Sequence, residues 1–422
     1  MTSTRPSARV YRRRRIVVFS ALAVVLALLT GAGVYSANAL GAPVPSAAPE
    51  VADPAPVAAA PQQLVLPGFG GWAIGAVGFD GLLASGNEQT PMAMASITKV
   101  ITALTVLSEH PIPPGEGGPD VEYTEDDVDI YWDMAAQGGS VAPVEAGATL
   151  TLKESLEALL IPSGNNYGIS ISNWAFGSEA ALVEKANAWL AANGLANTHV
   201  VDSSGMSDDN VGTPADMVAL GEIALGEPTI AAIVASKSVE IPELGTLTNS
   251  NKLLGTHGVD GMKTGTTDDA ANLLFTADYA VGASSVTVVG VLLGGETHEI
   301  IDAAIVAMLD SVAPGFHEVA PLEANQVLAE YDTPWGDTAR ARASSGATVV
   351  VWNDTPVDVE VHADAVSLAD RGDEVGTAVV RAGSEEITVP LVLDASLSDP
   401  GAWWRLTNPG ALDDAGAQSG SE

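Results

Sequence analysis

Three short clusters in this 422-residue chain combine side chains that can do acyl-transfer chemistry. The first is Ser96-Ile97-Thr98-Lys99, which opens a stretch whose apolar residues Ile97, Val100, Ile101, Leu104 and Leu107 repeat at helical spacing. A lysine three positions after a serine lies one turn on, on the same helix face, so its amine sits beside the hydroxyl. Among apolar neighbours such an amine loses its charge readily and can take the serine proton. The helix dipole also favours negative charge near Ser96. The second cluster is Ser163-Gly164-Asn165, a hydroxyl and an amide on a tight turn beyond the helical run Leu152, Leu156, Leu159, Leu160. The third is Lys263-Thr264-Gly265 with Thr266, just before the strand-like Leu273 to Phe275.

Singly, these clusters are ordinary: a capping serine with a surface lysine, a turn, and a strand with one exposed lysine. In this order they form the Ser-x-x-Lys, Ser-x-Asn, Lys-Thr-Gly set of penicillin-binding proteins and class A β-lactamases. Other hydrolytic devices lack support. No G-x-S-x-G elbow is present, and His298-Glu299 lacks the second histidine of a zinc helix. With no cysteine there is no thiol nucleophile, disulfide framework or Cys-ligated metal.

More of the chain resembles the low-molecular-weight serine D-alanyl-D-alanine carboxypeptidases. Pro91 to Lys99, Ala188 to Met217 with Ser204-Gly205-Met206, Asn249 to Leu254, and Gly258 to Gly265 all look like that family, over roughly residues 70–312. The resemblance implies an α/β (α+β) catalytic domain of the β-lactamase/transpeptidase-like type, with an antiparallel sheet flanked by helices and an α-helical lobe. It implies Ser96 as nucleophile, Lys99 as general base, and Ser163 relaying a proton to the leaving amine with Lys263 nearby. Asn165 would bind the substrate backbone and orient Lys99. Lys263 and Thr264 of the Lys-Thr-Gly265 motif would bind the terminal carboxylate, and the N–H groups of Ser96 and Thr266 would form an oxyanion hole. The substrate would be a peptidoglycan stem peptide, with β-lactams as covalent inhibitors and no metal or organic cofactor. Three departures fall beside the motifs: Asn166-Tyr167-Gly168 where Asp-Ala is usual, Thr266 where an aromatic is common, and Ala271 near an expected glycine. They are expected at the cleft rim.

Alternatives stay open. A D,D-endopeptidase uses the same motifs. A β-lactamase expects an added glutamate, absent from His199 to Ser207, and Glu184 falls in a helical pattern without the Leu-Asn that should follow. A non-catalytic wall-tethered scaffold is argued against by the intact Ser96, Lys99 and Lys263.

The elements around these motifs follow from pattern. Ala73 to Phe79 reads as a strand, and Leu182, Ala186, Trp189, Leu190 as a helix stopped by Asn193-Gly194. Val286 to Leu293 reads as a central strand and Ile300 to Leu309 as a closing helix. Beyond Gly315, alternating Val349–Trp352, Val357/Val359/Val361 and Ile387/Val389/Leu391/Leu393 predict a small all-β domain. Trp403-Trp404 would pack on it or meet a membrane or partner. At the other end, six of the 17 basic residues are arginines within positions 1–15, followed by an apolar run from Ile16 to about Tyr35. That reads as a single transmembrane anchor with the bulk of the chain outside, or as a signal peptide cut near Ala37-Asn38-Ala39, leaving a secreted protein. The remaining 11 basic residues face 53 acidic ones, which excludes nucleic acid as a partner. The expected organisation is a basic cytoplasmic segment 1–15, an anchor 16–35, a Pro/Ala-rich linker 36–65, a catalytic domain 66–313, a β domain 314–405 and a disordered tail 406–422.

Overall fold

The computed structural model describes residues 8–57 and 59–412. Helix α1 (Ala8–Gly41) is long and apolar enough to cross a membrane. A three-residue strand, β1 (Pro49–Val51), follows. The rest divides between two compact units, one of residues 59–318 and 350–355, the other of 8–57, 319–349 and 356–412.

The larger unit contains β2 (Gly71–Ala76), β3 (Ala84–Gly86), α2 (Thr98–Glu109), α3 (Glu125–Ala136), α4 (Leu152–Leu160), α5 (Asn165–Phe176), α6 (Glu179–Ala192), α7 (Pro214–Leu225), α8 (Pro228–Val234), β4 (Val259–Thr266), β5 (Ala271–Val281), β6 (Ser284–Gly295) and α9 (His298–Val312). Five of its strands form one antiparallel sheet in the order β4-β5-β6-β2-β3. The unbroken apolar run of β6 is explained by this position: it is the middle strand, and both faces are covered. Val289 and Val291 join a core with α2, α4, α5 and α7, whereas Val288 and Leu292 pack on the α9 side with Ile301, Ile305 and Met308. Helix starts follow capping chemistry. Thr151 accepts the Glu154 N–H at the head of α4, and Thr297 that of Ile300 at the head of α9.

Helix α2 departs from the amphipathic expectation. All residues from Thr98 to Leu107 are buried. Its polar residues tolerate this where they find acceptors: the Thr105 hydroxyl donates to the Ile101 carbonyl at 2.8 Å and that of Thr102 to the Ser203 carbonyl at 2.7 Å. The helix is therefore the axis of the lobe rather than one of its surfaces.

The second unit is an antiparallel sheet built from β7 (Val327–Asp332), β8 (Thr338–Ala343), β9 (Val357–Ala363), β10 (Glu374–Ala382) and β11 (Glu385–Leu393). The order is β1-β7-β8-β11-β10-β9. Within the expected linker, helix α1 continues six residues past Tyr35, Pro49 to Val51 pair with β7, and Val57 bridges Val357. Helix α10 (Gly401–Thr407) separates the two tryptophans: the Trp404 ring lies edge-on to Trp335, while Trp403 is 79% exposed. Of the expected tail, residues 413–422 lie outside the described residues.

Candidate active site

Ser96 occupies a 3-10 turn, Ala95–Ile97, that runs straight into α2. Lys99 Nζ lies 2.8 Å from Ser96 Oγ and donates to the Ser204 carbonyl at 2.5 Å. A neutral amine satisfies both contacts at once, giving an N–H to the carbonyl and its lone pair to the hydroxyl. Lys99 is fully buried. Burial holds its pKa well below the usual lysine value, nearby Lys263 lowers it further, and Asp202 offsets part of this. The electrostatics thus favour an amine that accepts the serine proton.

The loop supplying the Ser204 carbonyl is held by one carboxylate. Asp202 accepts the N–H groups of Ser204 at 2.7 Å, Gly205 at 2.6 Å and Ser207 at 2.8 Å, and the Asn210 amide at 2.7 Å. Burial alone would raise its pKa, but these donors keep it below the usual carboxylate value. Gly205 has a φ of 81°, and a Cβ there would stand 1.9 Å from the Ala95 carbonyl oxygen. The loop therefore passes directly against the backbone preceding Ser96, which only glycine permits.

Lys263 is buried on β4, where its ammonium group donates to the Thr264 carbonyl at 3.1 Å and approaches the Thr264 hydroxyl at 3.4 Å. Burial brings its pKa down to about 7. Thr264 Oγ1 pairs with Ser250 Oγ at 2.6 Å. Gly265 lets β4 approach the Met94 carbonyl, which a Cβ would meet at 2.6 Å. From β5, Asn272 ties the segment before Ser96 to the sheet: its amide donates to the Ala93 carbonyl at 2.9 Å and accepts the Gly294 N–H at 2.8 Å.

Ser163 adopts a φ of 69° between α4 and α5, and Asn165 is the first residue of α5. The Asn165 backbone N–H donates to the Ser140 carbonyl at 2.8 Å, while its buried Oδ1 has no partner among the described residues. It makes no hydrogen bond to Lys99 among the described residues. The amine is held by Ser204 instead, a difference from the role the resemblance implies.

A cleft of about 500 Å³ is lined by Ser96, Ser163, Asn165, Thr264 and Thr266, with Ser250, Lys252, His298 and Asp302 also on its wall. The three clusters therefore converge on one opening, with Lys99, Lys263 and Gly265 packed just behind it. The departures have separate fates. Asn166 and Tyr167 are not rim residues: they are buried and brace the loop before α5. The Asn166 amide exchanges two 3.0 Å bonds with the Ala142 backbone, and the Tyr167 hydroxyl donates to the Pro143 carbonyl at 2.7 Å. Ala271 is likewise buried, where β5 pairs with Thr266. Thr266 does face the opening.

Sequence reasoning gave no role to Asp202, Ser250, Asn272 or His298. For Asp202 the signal was present in the flanking Ser204-Gly205. A buried Asn272 inside an apolar strand carries no spacing that announces its partner 179 positions away.

A family model described as D-alanyl-D-alanine carboxypeptidase (Peptidase_S11) matches residues 80–297. The chain is 26% identical over 318 residues to the D-alanyl-D-alanine carboxypeptidase DacF of Bacillus subtilis (strain 168), covering 72% of this chain and 79% of the relative. It is 26% identical over 272 residues to DacA of Escherichia coli (strain K12), covering 62% and 64% respectively. Among solved structures, a peptidoglycan synthesis regulatory factor (PBP3) from Streptococcus pneumoniae superposes with a TM-score of 0.57 at 20% identity, covering 79% of this chain and 100% of that one. Penicillin binding protein 5 from Haemophilus influenzae gives 0.55 at 20% identity, covering 81% and 100%. The fold is thus that of the penicillin-binding proteins, and with more than half its length matched the chain belongs to the D-alanyl-D-alanine carboxypeptidase family of serine peptidases.

Proposed function

We propose that this enzyme removes the terminal D-alanine from peptidoglycan stem peptides through an acyl-enzyme on Ser96. The observation that carries the reading is the fully buried Lys99 amine 2.8 Å from Ser96 Oγ. Lys99 takes the hydroxyl proton as Ser96 attacks the carbonyl between the two terminal D-alanines. The backbone N–H groups of Ser96 and Thr266 stabilise the oxyanion, an interaction whose loss typically costs about 10²–10³ in rate. Ser163 relays the proton taken up by Lys99 to the departing D-alanine amine. The carboxylate of that D-alanine meets the Lys263 charge and the Thr264 hydroxyl, while the unpartnered Asn165 Oδ1 accepts an N–H of the substrate backbone. Water then releases the acyl group. Lys252 on the cleft wall and Lys263 behind it stand out in a chain of net charge −36, which supports a substrate with a free carboxylate.

A β-lactam presents a strained amide beside a carboxylate, so it acylates the same serine. The arginine-flanked α1 supports anchoring of the chain in the cell membrane with the catalytic unit on the outer side.

The test is labelling of the full-length protein in detergent with a fluorescent penicillin, beside Ser96→Ala. A stable covalent adduct on the wild type and none on the variant is the expected result, followed by D-alanine release from a D-Ala-D-Ala peptide. Absence of an adduct on the wild type would overturn the reading.

A further inference from the structure

Strand β4 is an edge strand. It is paired with β5 on one side only, and its last pair is Thr266 with Ala271. The end of such a strand is its least restrained part, yet the reaction proposed above depends on the backbone N–H of Thr266 there. A side-chain tie reaches that end from outside the sheet: Thr266 Oγ1 lies 2.7 Å from Nε2 of His298, the first residue of α9. Both residues line the cleft.

We propose that His298 is a positioning residue for acyl transfer, fixing the end of β4 through Thr266 and so aiming the Thr266 N–H at the developing oxyanion. This rests on the acyl-enzyme reading. The imidazole is half-buried between charged groups on three elements. Asp302 follows one turn along α9, Lys252 comes from the loop before β4, and Lys263 lies on β4 itself, while Asp268 from the turn after β4 lines the same opening. Burial lowers the histidine pKa, both lysines lower it further and Asp302 works against them. The neutral ring therefore prevails at neutral pH, with Nε2 free to accept the Thr266 hydroxyl. Protonation turns Nε2 into a donor, reverses the bond and adds a third cation to the Lys252–Lys263 side of the cleft. Acylation should accordingly fall on the acid side as His298 takes up its proton.

The experiment measures acylation by a chromogenic or fluorescent penicillin from about pH 5 to 8 for wild type, His298→Ala and His298→Gln. Glutamine restores a hydrogen-bonding group without titrating. The expected result is an acylation rate constant about tenfold lower in the alanine variant, less than the 10²–10³ lost with an oxyanion donor itself. Affinity for the intact β-lactam should be unchanged, most of the rate should return with glutamine, and the acid limb should move away from its wild-type position in both variants, leaving only the contribution of the Lys99 base. Wild-type rates in the alanine variant at every pH would overturn the proposal. So would a loss confined to affinity, which would make His298 a ligand contact, or an acid limb that stays at its wild-type position in both variants. If alanine impairs folding, the pH profile of the glutamine variant alone decides. A wild type that fails to label defeats the acyl-enzyme reading instead, so the two failures are distinguishable.

Discussion

The two units differ in the cations they bury without a carboxylate partner. In the larger one, Lys99 and Lys263 are buried to within 1%, and burial makes both hold the proton less tightly than an exposed lysine. In the β unit, Arg340, Arg342 and Arg381 lie on the sheet surface, each paired to a carboxylate: Arg340 with Glu330, Arg342 with Asp394, Arg381 with Glu360 and Glu386. The surface pairs cost little desolvation and contribute little stability. The buried lysines have no carboxylate within ion-pair distance among the described residues, and they cost the fold free energy. Such a cost persists in a folded protein where the group does chemistry, so the contrast separates the unit that reacts from the one that supports.

The sharpest way to break the contrast is Lys99→Met. Loss of the base should lower acylation by about 10²–10⁴, while the melting temperature stays level or rises because a buried amine is replaced by an apolar chain. A clear loss of stability would mean that the amine holds the fold together and that the comparison is wrong. Gly205→Ala comes next. It pushes a methyl against the Ala95 carbonyl and displaces the loop that holds Lys99. Since misplacement by about 1 Å costs on the order of 10² in rate, acylation should fall by about that much, measured beside a thermal melt to separate displacement from unfolding.

A third test uses pH. The Lys263 pKa is about 7 when folded against 10.5 ordinarily, so between these values the unfolded chain holds the extra proton. Its contribution to stability therefore rises with pH across that window, by at most about 1.4 kcal/mol per unit, and the full penalty applies below pH 7. Denaturant melts at pH 7 and pH 9 should show this rise in wild type relative to Lys263→Met; equal changes in both would place the lysine in contact with solvent. The smallest effect belongs to the other side of the contrast. Arg342→Ala should cost only about 0.2–1 kcal/mol in a thermal melt and leave acylation unaltered.

Legibility in the sequence followed the range of the interactions. Ser96 and Lys99 are three residues apart, and local helical spacing carried their contact, while the order of the three clusters singled them out for chemistry. The buried run of β6 and the alternation of β9 and β11 announced themselves because their patterns are local. Strands β7, β8 and β10 were missed although Thr338 to Ala343 alternates, since its outward arginines and inward alanines give weak apolar contrast. The inclusion of Pro49 to Val51 in the sheet was hidden because edge pairing through backbone groups needs no apolar signature. Asn272 and His298 were invisible for the same reason in three dimensions: each acts on a group brought near only by the finished fold.

Asn272 joins Ala93 across 179 positions of chain. Synthesis delivers the N-terminal end first, so Ser96 emerges long before the hairpin of β4 and β5 that supplies Asn272, Lys263 and Thr266. Until that hairpin docks, Ser96 has neither the Thr266 backbone on which the proposed reaction depends nor the brace on its own backbone. The order of the chain thus imposes a built-in latency: a nascent or truncated molecule ending before about residue 272 carries the reactive serine yet should be inert toward the wall and toward penicillin alike.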